Sequence, residues 1–109
     1  MYHYNLKCFI LFIIQLAYFD IRGRGEIIRL VLSAQNEKFE DERITFEQWN
    51  SKKTSMKYPQ LPVFTLENGV EMNESLAIAK YLARKTKLAG KDDWEMYLVD
   101  SAIDTVEFV

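Results

Sequence analysis

Hydrophobic positions recur along this chain with a period that changes from block to block, and each change marks a new element. Residues 8–19 are almost unbroken in apolar character, with Gln15 the exception. The end of that block, residues 16–19, reads as a buried strand, while no element is assigned to residues 7–15. A basic turn containing Gly23 and Gly25 follows. Ile27, Leu30, Val31 and Ala34 then recur at helical spacing, which predicts an amphipathic helix over 26–35. Residues 39–44 form a short, charged run suited to an edge strand. Residues 45–58 are polar around Trp49 and predict a loop with one or two helical turns. Pro59 and Pro62 break any helix.

The second half changes period again. Residues 63–66 are strand-like, Glu67-Asn68-Gly69 is a hairpin turn, and residues 70–72 pair back antiparallel. Ser75 is a natural N-cap for a helix carrying Leu76, Ile78, Ala79 and Leu82 to about Lys85. Leu88-Ala89-Gly90 closes it, and Asp92 and Asp93 offer caps to a last helix. That helix carries Trp94, Leu98, Ser101, Ala102 and Thr105 along one side and is still running at Val109. A strand-helix-strand unit joined to a hairpin and a closing helix is a thioredoxin-like α/β layout. Its βαβ-ββα order predicts a mixed four-stranded sheet. Its first crossover should be right-handed, making the first two strands parallel neighbours.

With 109 residues the chain holds one domain, or one domain and part of another. A net charge of −2 argues against a nucleic-acid partner, because a phosphate-binding face needs a basic excess. His3 is the only histidine and Cys8 the only cysteine, so the chain can assemble neither a zinc site nor an internal disulfide. Ser-His or Cys-His catalysis would have to use His3, beside a terminus. Any chemistry therefore rests on Tyr, Arg, Lys, carboxylates or backbone amides. A single thiol fits a reducing compartment, and Cys8 in its apolar run reads as inert. The apolar block is too short to span a bilayer, which needs about 20 residues. Lys7 and Ala17 give it the outline of a weak signal peptide without an Ala-x-Ala site. Cleavage after Ala17 would remove the first strand.

Tyr18 stands at the seam between that strand and the basic turn. A phenol there can donate a hydrogen bond to an anion without changing its own charge. The bland alternative is a buried strand aromatic. Arg22-Gly23-Arg24-Gly25 evokes a dinucleotide loop, but Ile28 occupies the place of its third glycine. Its two arginines are otherwise solvated charges. Trp49 is a packing anchor or, with Lys52 and Lys53 beside it, part of a binding surface. A helix that starts at Ser75 offers backbone N–H groups to a carboxylate.

Several of these pieces, in order, resemble the N-terminal domain of cytosolic glutathione S-transferases. The sigma class, which includes haematopoietic-type prostaglandin D synthases, is the most similar. The matching pieces begin with Tyr18-Phe19, then Arg22-Gly23-Arg24-Gly25-Glu26-Ile27-Ile28-Arg29-Leu30 and Phe39-Glu40-Asp41-Glu42-Arg43-Ile44. Gln48-Trp49, Gln60-Leu61-Pro62-Val63, Glu74-Ser75-Leu76-Ala77-Ile78-Ala79-Lys80-Tyr81-Leu82-Ala83 and Leu88-Ala89-Gly90-Lys91-Asp92-Asp93 follow. The resemblance implies that Tyr18 donates to the glutathione sulfur with Arg24 close by. It implies that Trp49 and Lys53 hold the glycine end, and that Gln60 and Leu61 pair with the cysteinyl backbone. Pro62 would be a cis proline, and Glu74 and Ser75 would receive the γ-glutamyl end. Glutathione would be the co-substrate with no metal required, and the partner a small electrophile. A cytoplasmic homodimer is implied for the full-length protein, with neither nucleic acid nor membrane as partner.

The implied domains are an atypical apolar extension over 1–15, a thioredoxin-like glutathione-binding domain over 16–86, and a linker with the first helix of a truncated all-α domain over 87–109. Three features depart from the family pattern. Glu74-Ser75 stands where Gln-Ser is usual, and Glu107 stands in for an acidic pair. Members are roughly twice as long, with a helical domain that supplies the electrophile pocket. An apolar block separates Tyr4-Asn5-Leu6 from Ala17-Tyr18-Phe19, as a misjoined or retained coding segment would. The leading expectation is a glutathione transferase or glutathione-dependent isomerase. The alternatives are a non-catalytic glutathione-binding or scaffold fragment, and a secreted or membrane-tethered protein.

Overall fold

Burial alternates residue by residue from Ile14 to Phe19, with Ile14, Leu16 and Tyr18 buried and their neighbours half-buried. That period of two makes the end of the apolar block a strand, β1 (Gln15–Phe19). The computed structural model describes residues 13–85 and 88–106. Expectations about His3, Cys8 and the start of the apolar block lie outside the described residues. The described chain forms two compact units, one of residues 13–20 and Lys38–Asn73, the other of Ile21–Glu37 and 74–106.

The first unit is a four-stranded sheet in the order β2-β1-β3-β4, with β2 (Glu40–Ile44), β3 (Val63–Thr65) and β4 (Glu71–Met72). β1 runs parallel to β2, with Gln15 opposite Glu40 and Phe19 opposite Ile44. It runs antiparallel to β3, and β3 antiparallel to β4. The sheet is therefore mixed, as the element order predicts. β2 lies at an edge, which its charged sequence suits. Gln15 Nε2 ties it down by donating to Glu40 Oε1 at 2.8 Å and Glu42 Oε1 at 3.0 Å. Arg43 bridges Asp20 at 2.7 Å and Asp41 at 2.8 Å. Hydrogen bonds to Asp20 and then Asp41 raise the Arg43 guanidinium above its ordinary pKa. The hairpin turn closes as predicted, with Gly69 at φ 88° and Leu66 N–H donating to Val70 O.

Between the strands lies α2 (Phe46–Lys52), followed by a 3₁₀ turn, Lys53–Ser55. Thr45 starts α2 with a capping box. Gln48 N–H donates to Thr45 Oγ1 at 3.0 Å, and Thr45 N–H to Gln48 Oε1 at 2.9 Å. Phe46, at the start of α2, also packs on Phe19, ring centroids 4.7 Å apart.

The second unit is helical: α1 (Glu26–Ala34), α3 (Ser75–Lys85) and α4 (Asp93–Val106). Just past the end of α1, Asn36 with a φ of 53° reverses the chain so that Glu37 N–H reaches Leu32 O at 3.0 Å. Its buried face differs from the predicted one. Ile27, Ile28, Val31 and Leu32 are buried, whereas Leu30 and Ala34 are exposed. Gln35 Nε2 donates to Leu82 O of α3 at 3.1 Å. α3 buries Ile78, Ala79, Leu82 and Ala83.

Asp92 caps α4, its Oδ1 accepting from Glu95 N–H at 2.8 Å. The face of α4 toward α3 is also not the predicted one. Asp100 and Asp104, one turn apart, meet Arg84 at 2.9 Å and Lys80 at 3.0 Å. Ile103 is buried between them in sequence, while Trp94, Leu98, Ala102 and Thr105 are exposed. Two ion pairs and one buried isoleucine set the helix rotation, against the apolar count of the other side.

Candidate functional site

In the first unit, the register of β1 against β3 organises the candidates. Gln15 pairs with Thr65, Leu16 with Phe64 and Ala17 with Val63. One further step along this antiparallel ladder brings Tyr18 level with Pro62. Tyr18 and the Gln60-Leu61-Pro62 segment thus share one end of the sheet. The Leu61–Pro62 peptide is cis, as the resemblance implies. Pro62 is buried, Leu61 half-buried and Gln60 exposed. Tyr18 is only 6% exposed, on the buried face with Leu16, and its ring lies 5.6 Å from that of Phe19.

Trp49 is half-buried and meets Phe19 edge-on, centroids 6.1 Å apart. Lys53 N–H donates to Trp49 O, so the two residues share one helical turn. The structure separates the two lysines left open by the sequence. Lys52 Nζ lies 3.2 Å from Glu42 Oε2. No carboxylate pairs with Lys53 among the described residues, and its side chain is exposed. A cavity of about 690 Å³ lies on this unit and includes Ala17, Lys52, Tyr58, Leu61 and Val63 in its lining.

In the second unit, Arg24 and Ser75 line one cavity of about 310 Å³, together with Arg22, Glu26, Leu76 and Val106. Two guanidinium side chains and a helix start in one cavity make an anion-binding arrangement. The sequence treated Arg22 as a solvated charge. Its place beside Arg24 becomes visible only once the turn is folded. Ser75 is buried and stands as the first residue of α3, not as its N-cap. The cap position belongs to Glu74, whose carbonyl accepts from Ile78 N–H at 2.9 Å and whose φ is 74°. An exposed glutamate held in the left-handed region is an unusual backbone position and points to a functional demand. Among the described residues, no helix is long and apolar enough to cross a membrane.

Comparison with known proteins follows these segments closely. Residues 14–84 match the family model of the glutathione S-transferase N-terminal domain. A glutathione S-transferase of Anopheles gambiae is 42% identical over 82% of this chain and 43% of its own length. Hematopoietic prostaglandin D synthase of Rattus norvegicus is 41% identical over 85% of this chain and 46% of its own. Among solved structures, a Nu-class GST from Haemonchus contortus superposes with a TM-score of 0.76 at 44% identity. That superposition covers 86% of this chain and 46% of the other. The chain thus spans less than half the length of these relatives. The mixed sheet with its helices is the thioredoxin-like fold of that group. The match runs from the buried start of the sheet through the end of α3, and by it the chain belongs to the glutathione S-transferase family.

Proposed function

We propose that this chain is the glutathione-binding part of a sigma-like glutathione transferase, which stabilises the glutathione thiolate for attack on a small electrophile or for isomerisation. The observation that carries this reading is the β1–β3 register, which supports a phenol and a peptide-binding strand edge acting at one end of the sheet. An extended tripeptide can add to the edge at Gln60 and Leu61 through backbone hydrogen bonds, with Pro62 shaping that edge. Tyr18 then donates its O–H to the cysteinyl sulfur. A cysteine-like thiol has a pKa of about 8.5, leaving only a few per cent ionised at pH 7. One hydrogen bond to the charged form contributes roughly 1.5–3 kcal/mol, or about one to two pKa units. Thiolate becomes the main form near neutrality, and no histidine base is needed.

The remaining roles follow from charge. Arg24 adds a positive field that favours thiolate, and Lys53 with Trp49 takes the glycine carboxylate. The backbone N–H groups and hydroxyl at Ser75 take the γ-glutamyl carboxylate, and Glu74 takes its ammonium group. Residues 16–86 would be the glutathione-binding domain, residues 1–15 an extension and residues 87–109 the start of a helical domain. Cytoplasmic location and a homodimer of the full-length protein belong to the same reading. Titration calorimetry with glutathione tests it, expecting saturable binding that S-methylglutathione competes away. No binding would overturn it. Binding without turnover of an activated aryl halide would favour the non-catalytic alternative.

A further inference from the structure

The hairpin between β3 and β4 holds Asn68-Gly69, and Asn68 is the only asparagine of the chain that glycine follows. That pair carries latent chemistry. The next peptide nitrogen can attack the side-chain amide carbon when no Cβ on the following residue obstructs the approach. The folded turn brings the two groups together. Val70 N–H donates to Asn68 Oδ1 at 3.0 Å, and the ring closed by that bond contains both Asn68 Cγ and the Gly69 nitrogen. The same N–H draws charge from the side-chain carbonyl and favours the oxyanion that forms when Cγ is attacked. Asn68 and Gly69 are both exposed, so hydroxide and water reach them. One contact opposes the reaction. Gly69 N–H donates to Leu66 O at 2.9 Å, which holds the proton on the nucleophile. A single neutral hydrogen bond of that kind slows the attack by no more than about tenfold.

We propose that Asn68 is a site of spontaneous deamidation in the folded chain, and that its isoaspartyl product unpairs β4 from β3. Hydroxide removes the Gly69 N–H proton, and the nitrogen bonds to Asn68 Cγ. The Cγ–Nδ2 bond then breaks, and Nδ2 takes a proton from water and leaves as ammonia. Water opens the resulting five-membered imide. Breaking its bond between Cγ and the Gly69 nitrogen gives aspartate. Breaking the bond between the Asn68 main-chain carbonyl carbon and that nitrogen gives isoaspartate, whose main chain is longer by one methylene. The sum is amide plus water to carboxylic acid plus ammonia, with no change of oxidation state. The added methylene falls inside the hairpin closure, where Leu66 N–H donates to Val70 O at 2.9 Å. It therefore displaces Glu71 from Thr65 and Met72 from Phe64. Aspartate keeps an oxygen for Val70 N–H and leaves the hairpin closed.

The test ages the full chain at mildly alkaline pH and follows each asparagine by peptide mapping and mass spectrometry, with isoaspartate scored separately. A synthetic peptide of residues 64–73 and the full chain in urea below its unfolding transition are aged beside it. Conversion should appear at Asn68 and not at Asn36, Asn50 or Asn73. Its rate should lie within about tenfold of the peptide's and stay flat across that urea range. A rate more than about tenfold below the peptide's, or one that climbs with urea, would place the chemistry in unfolded molecules and overturn the proposal. Gly69→Ala should suppress conversion, and an unchanged rate would overturn it. Where Gly69→Ala does not fold, the wild-type urea series carries the test. Asn68→Asp, which reproduces the aspartyl product alone, should unfold at the wild-type urea midpoint. The isoaspartyl fraction should unfold at a lower one, and equal midpoints would overturn the unpairing of β4.

Discussion

Ala17 of β1 is the antiparallel partner of Val63 of β3, the residue directly after Pro62. A one-residue slip in that pairing would exchange the two faces of β1. Leu16 and Phe64, paired one step away and both fully buried, hold the register in place. Burial of two large apolar side chains in the sheet thus sets where the Tyr18 phenol stands along the Gln60-Leu61-Pro62 segment.

Tyr18→Phe should separate binding from ionisation. Glutathione affinity at low pH should stay within about twofold, since only one hydrogen bond to a largely neutral thiol is lost. The thiolate midpoint should rise by about one to two pH units, and conjugation at neutral pH should fall with it. Difference absorbance across pH reads the midpoint directly. An unmoved midpoint would remove Tyr18 from the chemistry.

The two lysines at the end of α2 should behave differently. Lys53→Met should weaken glutathione binding by about two- to fivefold, the worth of an exposed ion pair. Lys52→Met should leave it near wild type, because Lys52 is paired with Glu42. The Lys53 effect should fade in high salt. Calorimetry at two salt concentrations distinguishes them, and equal effects would contradict the assignment.

Thr45→Ala should cost about 1 kcal/mol through loss of the α2 capping box, with Thr45→Ser restoring most of it. Urea unfolding followed by circular dichroism measures the difference. Because α2 carries Trp49 and leads into Lys53, glutathione affinity should weaken in step.

Gly90→Ala should be among the more damaging single changes. Gly90 has a φ of 106°, and an added Cβ would stand 2.6 Å from Glu95 Cβ and 2.8 Å from Met96 N. Backbone strain alone costs about 1–3 kcal/mol, and the clash with the first turn of α4 adds to it. A urea midpoint equal to wild type would refute this.

Much of this was legible in the sequence where the forces are local. The Gly69 turn, the Asp92 cap, the charged edge strand and the order of elements depend on residues within a few positions of one another. The ordered motifs from Tyr18 to Asp93 marked the family for the same reason. Local pattern failed where two faces of a helix were both plausible. On α1 the apolar positions allow either face, and on α4 the larger aromatics lie outside.

The sequence by itself determined the element order, the mixed sheet, the family and the candidate residues, because periodicity, turn chemistry and motif order are properties of neighbours along the chain. Only the tertiary structure decided the rest. It set the inward face of α4 through Asp100 and Asp104, chose Glu42 as partner for Lys52, and moved the α3 cap from Ser75 to Glu74. It also put Arg22 beside Arg24 and turned Arg29 back to Ile21. Each depends on ion pairs, burial or backbone reversal completed only once the chain has folded, and a one-dimensional pattern does not carry that information.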